Sequence, residues 1–147
     1  MLTELKTIVE TCATVTVDDV VKPLYPVEYE ESKMINVTVD EKALGARFAY
    51  IEEFTSGAFS KPKYMWSEST QVQIYFCRFC EFQNTAIERE AIREAIKSEV
   101  VKPFMNAYNA SGKFDIVDTF KFYTPLPRFD ANEVSIMLQF DCKQNMC

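Results

Sequence analysis

The stretch QVQIYFCRFCEF, residues 71–82, decides how this chain folds and whether it carries a reactive centre. β-Branched and aromatic side chains crowd it, so it reads as a long strand over about 70–82. It also holds Cys77-Arg78-Phe79-Cys80, the spacing used by redox dithiols and by half of a zinc site. Strand geometry weighs these readings against each other. Side chains alternate between the two faces, so cysteines three positions apart point to opposite sides. Their Cα atoms then stand about 10 Å apart, and a disulfide needs about 7 Å or less. Redox dithiols sit where a strand yields to a helix, whereas here the helix starts only near Thr85; a bulge would be needed to unite the thiols. A four-ligand zinc site would have to recruit Cys142 and Cys147 across a loose spacing. The expectation is that Cys80 and Cys142 pack as small core residues, with no metal site and no cofactor.

Downstream of this strand lies the strongest helix signal, NTAIEREAIREAIKSEVVKPFMNAYNASG, residues 84–112. Thr85 and Glu88 form a capping-box pattern. Ile87, Ala91, Ala95, Ile96 and Val100 trace the expected buried stripe. Glu90/Arg93, Glu94/Lys97 and Glu99/Lys102 are spaced to pair on the wet side. Pro103 should kink or end the helix; if the helix continues, Phe104, Met105 and Tyr108 extend the stripe and Gly112 suits the C-terminal cap. Residues 114–124 and 134–142 read as a closing β-hairpin, with Ile116, Phe120 and Phe122 on the first strand and Val134, Ile136, Leu138, Phe140 and Cys142 sharing one face of the second.

Upstream, Leu2, Leu5, Ile8, Val9 and Cys12 recur at helical spacing. A short strand is expected at Ala13–Val17, and Pro23 and Pro26 then force an extended or turning path. MINVTVDEK (34–42) alternates as a half-buried strand, and ARFAYIEEF (46–54) places Phe48, Tyr50 and Phe54 on one face of another. The order is α-β-β-β-α-β-β: an α+β fold with a single, mostly antiparallel sheet, an N-terminal helix and one long helix packed on it. Residues 1–147 make one domain, with an aromatic-rich loop or insertion at about 55–69.

That insertion, TSGAFSKPKYMWSES, is too apolar for an ordinary loop and too broken for a core strand. Two readings of Phe59, Tyr64 and Trp66 stand: they cap the sheet edge, or they anchor a protein partner. Lys61 and Lys63 beside them would guide an acidic neighbour. These five residues are the candidate partner-binding site.

The rest of the composition narrows function by exclusion. The net charge is −6, without a basic stripe, which disfavours nucleic acid and anionic membranes as partners. No histidine occurs, removing the commonest general base and metal ligand. Three glycines cannot compose a phosphate loop, and G-x-S-x-G is absent. The acidic groups EYEES (28–32), Glu52/Glu53 and Asp115/Asp118 lack cation-loop spacing and read as solvated faces. No catalytic residue is named. The start of the sequence lacks a secretion-signal pattern and no run is long enough to span a bilayer, so reduced thiols in a cytosol are expected.

In layout and length, the short helix, the strands, the long charged helix after the longest strand and the closing EVSIMLQFDCK (133–143) resemble small tail-terminator and neck (head–tail connector) proteins of tailed bacteriophages. The resemblance spans about residues 2–142 and rests on no diagnostic motif. It implies a non-enzymatic phage or prophage assembly subunit, ring-forming and in contact with other tail or connector proteins. Such a protein occupies the bacterial cytoplasm during assembly and then the virion. The aromatic segment and the acidic 28–32 stretch are its candidate complementary patches. Two rival readings are an acidic cytosolic binding or immunity-type module and a small enzyme with an unsignposted carboxylate or thiol site.

Overall fold

A computed structural model describes residues 1–29, 47–52, 56–61, 63–80, 84–125 and 133–144. The strand expected at 34–42 and most of the acidic 28–32 stretch lie outside these residues, as does Phe54. The fold is α+β, built on a mostly antiparallel sheet.

The strand read from residues 71–82 is its axis. β6 runs Ser67–Phe79, three residues longer at its start than the sequence suggests. It pairs along ten residues with β8 (Glu133–Cys142), from Thr70↔Cys142 to Phe79↔Glu133. Its other edge is shared by two strands: β4 (Arg47–Ile51) lies against Ile74–Arg78, and β5 (Gly57–Ser60) against Ser67–Thr70. β3 (Val27–Tyr29) adds to β4 in parallel, and β7 (Lys121–Tyr123) adds to β8, giving the order β3-β4-β6-β8-β7 with β5 beside β6. The closing hairpin thus exists, but within 114–124 only Lys121–Tyr123 form a strand on β8, with a single bridge from Phe114 to Gln144 beyond its end. Asn109 explains why. Its side chain accepts from the Val117 N–H at 2.9 Å and donates to the Val117 carbonyl at 3.0 Å, so the backbone there is already satisfied. Ile116 is exposed, whereas Phe120 packs against Tyr108 and Phe140.

Both faces of β6 are buried over Ile74–Cys77, which accounts for the continuous apolar run there. Val72, Ile74 and Phe76 meet Phe140, Leu138 and Ile136 under the helices. Tyr75, Cys77 and Phe79 belong to a second cluster on the opposite face with Phe48 and Tyr50. Phe48 tilts against Phe79 at 5.4 Å, and Tyr50 against Tyr75 at 6.0 Å. The two thiols are therefore split as strand parity requires: Cys77 lies in the back cluster, and Cys80 lies in the helix-side core with Cys142.

The helix-side core is closed by α1 (Leu2–Cys12), which buries Leu5, Ile8 and Val9, and by the long helix after β6. The Thr85 hydroxyl caps that helix by accepting from the Glu88 N–H at 3.2 Å. α2 (Ala86–Ile96) leads through a π-helical turn, Lys97–Val101, into α3 (Lys102–Ala110). Pro103 neither ends nor sharply interrupts it. A proline ring collides with the carbonyl four residues back in a regular α-helix, and the wider π turn, with Lys102 N–H bonded to the Lys97 carbonyl, gives it room. Gly112 takes the left-handed conformation (φ +71°) that terminates the helix.

The buried stripe differs from the sequence reading. Ile87 and Ala91 are exposed; Ile92, Ile96, Val100, Val101, Phe104 and Tyr108 face the sheet. Isoleucine buries more apolar area than alanine, so the helix seats its Ile92/Ile96 row rather than its Ala91/Ala95 row. Of the expected pairs, Lys97 meets Glu94 at 2.9 Å. Glu99 instead reaches Arg47 on β4 at 3.3 Å, tying the π turn to the sheet.

Candidate interaction surface

The thiols are poor candidates for chemistry. Cys12, Cys80 and Cys142 are free thiols. Burial pushes the Cys12 thiol up to about 11 and raises Cys80 and Cys142, whereas a nucleophilic thiol needs the opposite shift. Among the described residues, no group of three or more His, Cys, Asp or Glu side chains is placed to hold a metal ion. No helix among them is long and apolar enough to cross a membrane.

The aromatic segment is a β-hairpin arm, not a loop. Gly57 makes it possible: a Cβ there would sit 2.8 Å from the Ser69 carbonyl oxygen, so only glycine lets β5 approach β6 so closely. The Ser60 and Ser67 hydroxyls share a hydrogen bond of 2.9 Å across the far end of the ladder. Lys63 turns the tip with φ +62°. Phe59, Tyr64 and Trp66 do not fold back on the sheet. Tyr64 is 93% exposed and Trp66 68% exposed, with Phe59 and Met65 similarly open. Lys61 holds its ammonium 5.5 Å from the centre of the Trp66 ring, so cation and aromatic face form one feature. All five residues singled out in the sequence are on this arm, four of them at or beyond its end. Beside the arm, Phe59, Trp66 and Glu68 line a groove of about 480 Å³ with Met1, Lys143 and Gln144.

A second arm contains the short strand expected at Ala13–Val17, and its partner strand was not read from the sequence. β1 (Thr14–Val17) and β2 (Val20–Pro23) form a separate two-stranded ribbon. Asp18 and Asp19 make its turn, at φ +52° and +63°. That is the two-residue geometry matching the right-handed twist of a hairpin, and Asp tolerates it better than most residues. Among the described elements, β1 and β2 contact chiefly each other. Val15, Val17, Val20 and Val21 are exposed. The available signal was VDDV inside a valine- and threonine-rich run, two turn-formers between short β segments.

Sequence comparison gives no match to a protein-family model or to a curated protein. Apolar side chains are carried outward on two arms, one tipped by lysines and the other by aspartates. A lone two-stranded ribbon is at best marginally stable in water, so the β1–β2 arm gains from being covered.

Proposed function

We propose that this chain is a non-enzymatic structural subunit that works through protein–protein contacts, first of all with copies of itself. The observation that carries this reading is the concentration of large apolar side chains on the two arms, which hold eight of the twelve exposed large hydrophobic residues among those described. Exposed clusters of Trp, Tyr, Phe and Val rimmed by charge are the composition of interfaces, not of solvated loops. The finer form of the proposal is the tail-terminator or neck-type assembly role that the layout resembles: a subunit that closes a ring and meets other tail or connector proteins. Heterologous contacts between unlike patches generate such rings. The raised Cys12, Cys80 and Cys142 thiols support a role without catalysis.

Light scattering coupled to size exclusion, across a wide concentration range, tests it. The expected result is a mass several times the 17.0 kDa of one chain, reduced by a Phe59→Ser/Trp66→Ser double substitution. A monomer at every concentration would overturn the reading.

A further inference from the structure

The two arms are complementary to each other, and from that we infer that the β1–β2 arm of one copy docks against the β5–β6 arm and its adjoining groove on the next copy. This inference rests on the self-associating reading above and names its interface.

Charge and position carry it. The tip of the first arm is acidic, Asp18 and Asp19 lying side by side. The tip of the second is basic, with Lys61 and Lys63 both exposed. Behind each tip the sign reverses: Lys22 lies across from Val15 on the first arm, and Glu68, one pair in from the tip end of the ladder, lies across from Phe59 on the second. Laid side by side with tips together, the arms match twice, aspartates to lysines and Lys22 to Glu68. Valines then meet Phe59, Tyr64 and Trp66. A contact between like arms with their tips together is disfavoured, since it sets aspartates on aspartates or lysines on lysines.

Geometry makes the contact intermolecular. Met1, at the start of α1, lines the groove of the second arm, whereas the first arm leaves from the other end of that helix. Eleven helical residues separate the two ends by about 16 Å. In the single chain both sets of apolar side chains stay exposed. An arm that binds a different patch on its neighbour makes a head-to-tail contact, which closes into a ring or grows into a filament.

Charge exchange tests this. Asp18→Lys/Asp19→Lys makes both tips basic, and Lys61→Glu/Lys63→Glu makes both acidic. Each variant alone is expected to self-associate at least about tenfold more weakly than the parent, read by light scattering or sedimentation. Mixing the two restores opposite charges at every junction, and assembly should return to near the parent's strength. Circular dichroism melts verify that each variant is folded. Asp18→Asn/Asp19→Asn keeps a residue that accepts the left-handed turn and should weaken association by a smaller factor. If the parent assembles but the mixture is no stronger than either variant alone, the arm-to-arm interface is wrong and self-assembly stands. If the parent is monomeric throughout, both fall.

Discussion

Replacing Tyr25 by phenylalanine should stabilise this protein. Tyr25 is wholly inaccessible to solvent, in the helix-side core between β2 and β3, its ring edge-on to Phe76 at 6.4 Å. Its hydroxyl oxygen is buried and has no hydrogen-bond partner among the described residues. Desolvation, and then the nearby Glu99 carboxylate, hold that hydroxyl firmly in its neutral form. A buried polar group left unsatisfied costs about 1–3 kcal/mol, while the ring and nearly all the packing survive in Tyr25→Phe. The variant should therefore gain about 1–3 kcal/mol, less a few tenths for the small void left by the oxygen. For a chain of this length the thermal midpoint should rise by about 3–10 °C. Urea unfolding in an assembly-deficient background reads this directly, because arm contacts are then absent from the folded state. A midpoint shift at constant slope is expected. A loss of about 1 kcal/mol or more would show that the oxygen is held after all, with the Arg47–Glu99 pair the nearest source of such a bond, and the accounting of this core would be wrong.

Three further outcomes follow from the same structure. Tyr25 and Tyr108 are raised above their ordinary value of 10.0 and Cys12 above 9.0, chiefly by burial, so the fold binds these protons more tightly than the unfolded chain does. Stability should be level below about pH 9 and fall as pH climbs through 10 and beyond, by about 1.4 kcal/mol per pH unit for each group titrating in the unfolded state only; a urea midpoint unchanged to pH 11 would contradict this. Trp66 is the sole tryptophan, so intrinsic emission reports on the arm alone. In dilute protein it should be red-shifted and open to acrylamide quenching, and should shift to the blue on assembly; emission already blue and protected in the monomer would place Trp66 in a core. Disulfide exchange with a chromogenic reagent at neutral pH should be slow at Cys77, Cys80 and Cys142 until denaturant is added, and rapid labelling of the folded protein at Cys77 or Cys80 would revive thiol chemistry.

The sheet was legible because its signals are periodic and its side chains large. Parity along residues 71–82 separates Cys77 from Cys80, and alternation in 134–142 puts Val134, Ile136, Leu138, Phe140 and Cys142 on the helix side as expected. What remained hidden depends on three-dimensional competition. No spacing rule reveals that Asn109 takes the Val117 backbone away from the sheet, since that contest is between a side chain and a ladder. The helix face was misjudged because Ile87 fits an i,i+4 row that the isoleucines at 92 and 96 outweigh. At the candidate surface, composition flagged Phe59, Lys61, Lys63, Tyr64 and Trp66 but left their orientation open; Gly57, as the point of close strand approach, turns that segment into a hairpin. The first arm was half visible as a strand, without its partner strand across Asp18-Asp19.

The treatment of the sheet's rim separates the arms from ordinary exposed strands. Among the described strands, β3 and β7 end the order, and each is only three residues long. On β7, Lys121 stands beside Phe122, whose ring lies 4.6 Å from the Lys97 ammonium reaching over from the π turn. Short length, lysine and a cation over the exposed ring are the devices by which natural sheets discourage unwanted pairing. The arms use them sparingly: β1, β2 and β5 are four residues long and Lys61 lies over Trp66, yet the large apolar side chains stay open. Val15, Val17, Val20 and Val21 run without an intervening charge up to the aspartates, and Tyr64, Met65 and Trp66 are consecutive. On the arms the charge sits at and just behind the tips, where it selects a partner instead of repelling all comers. Two oppositely tipped ribbons beside a guarded β7 are what the proposed docking of one copy on the next would use.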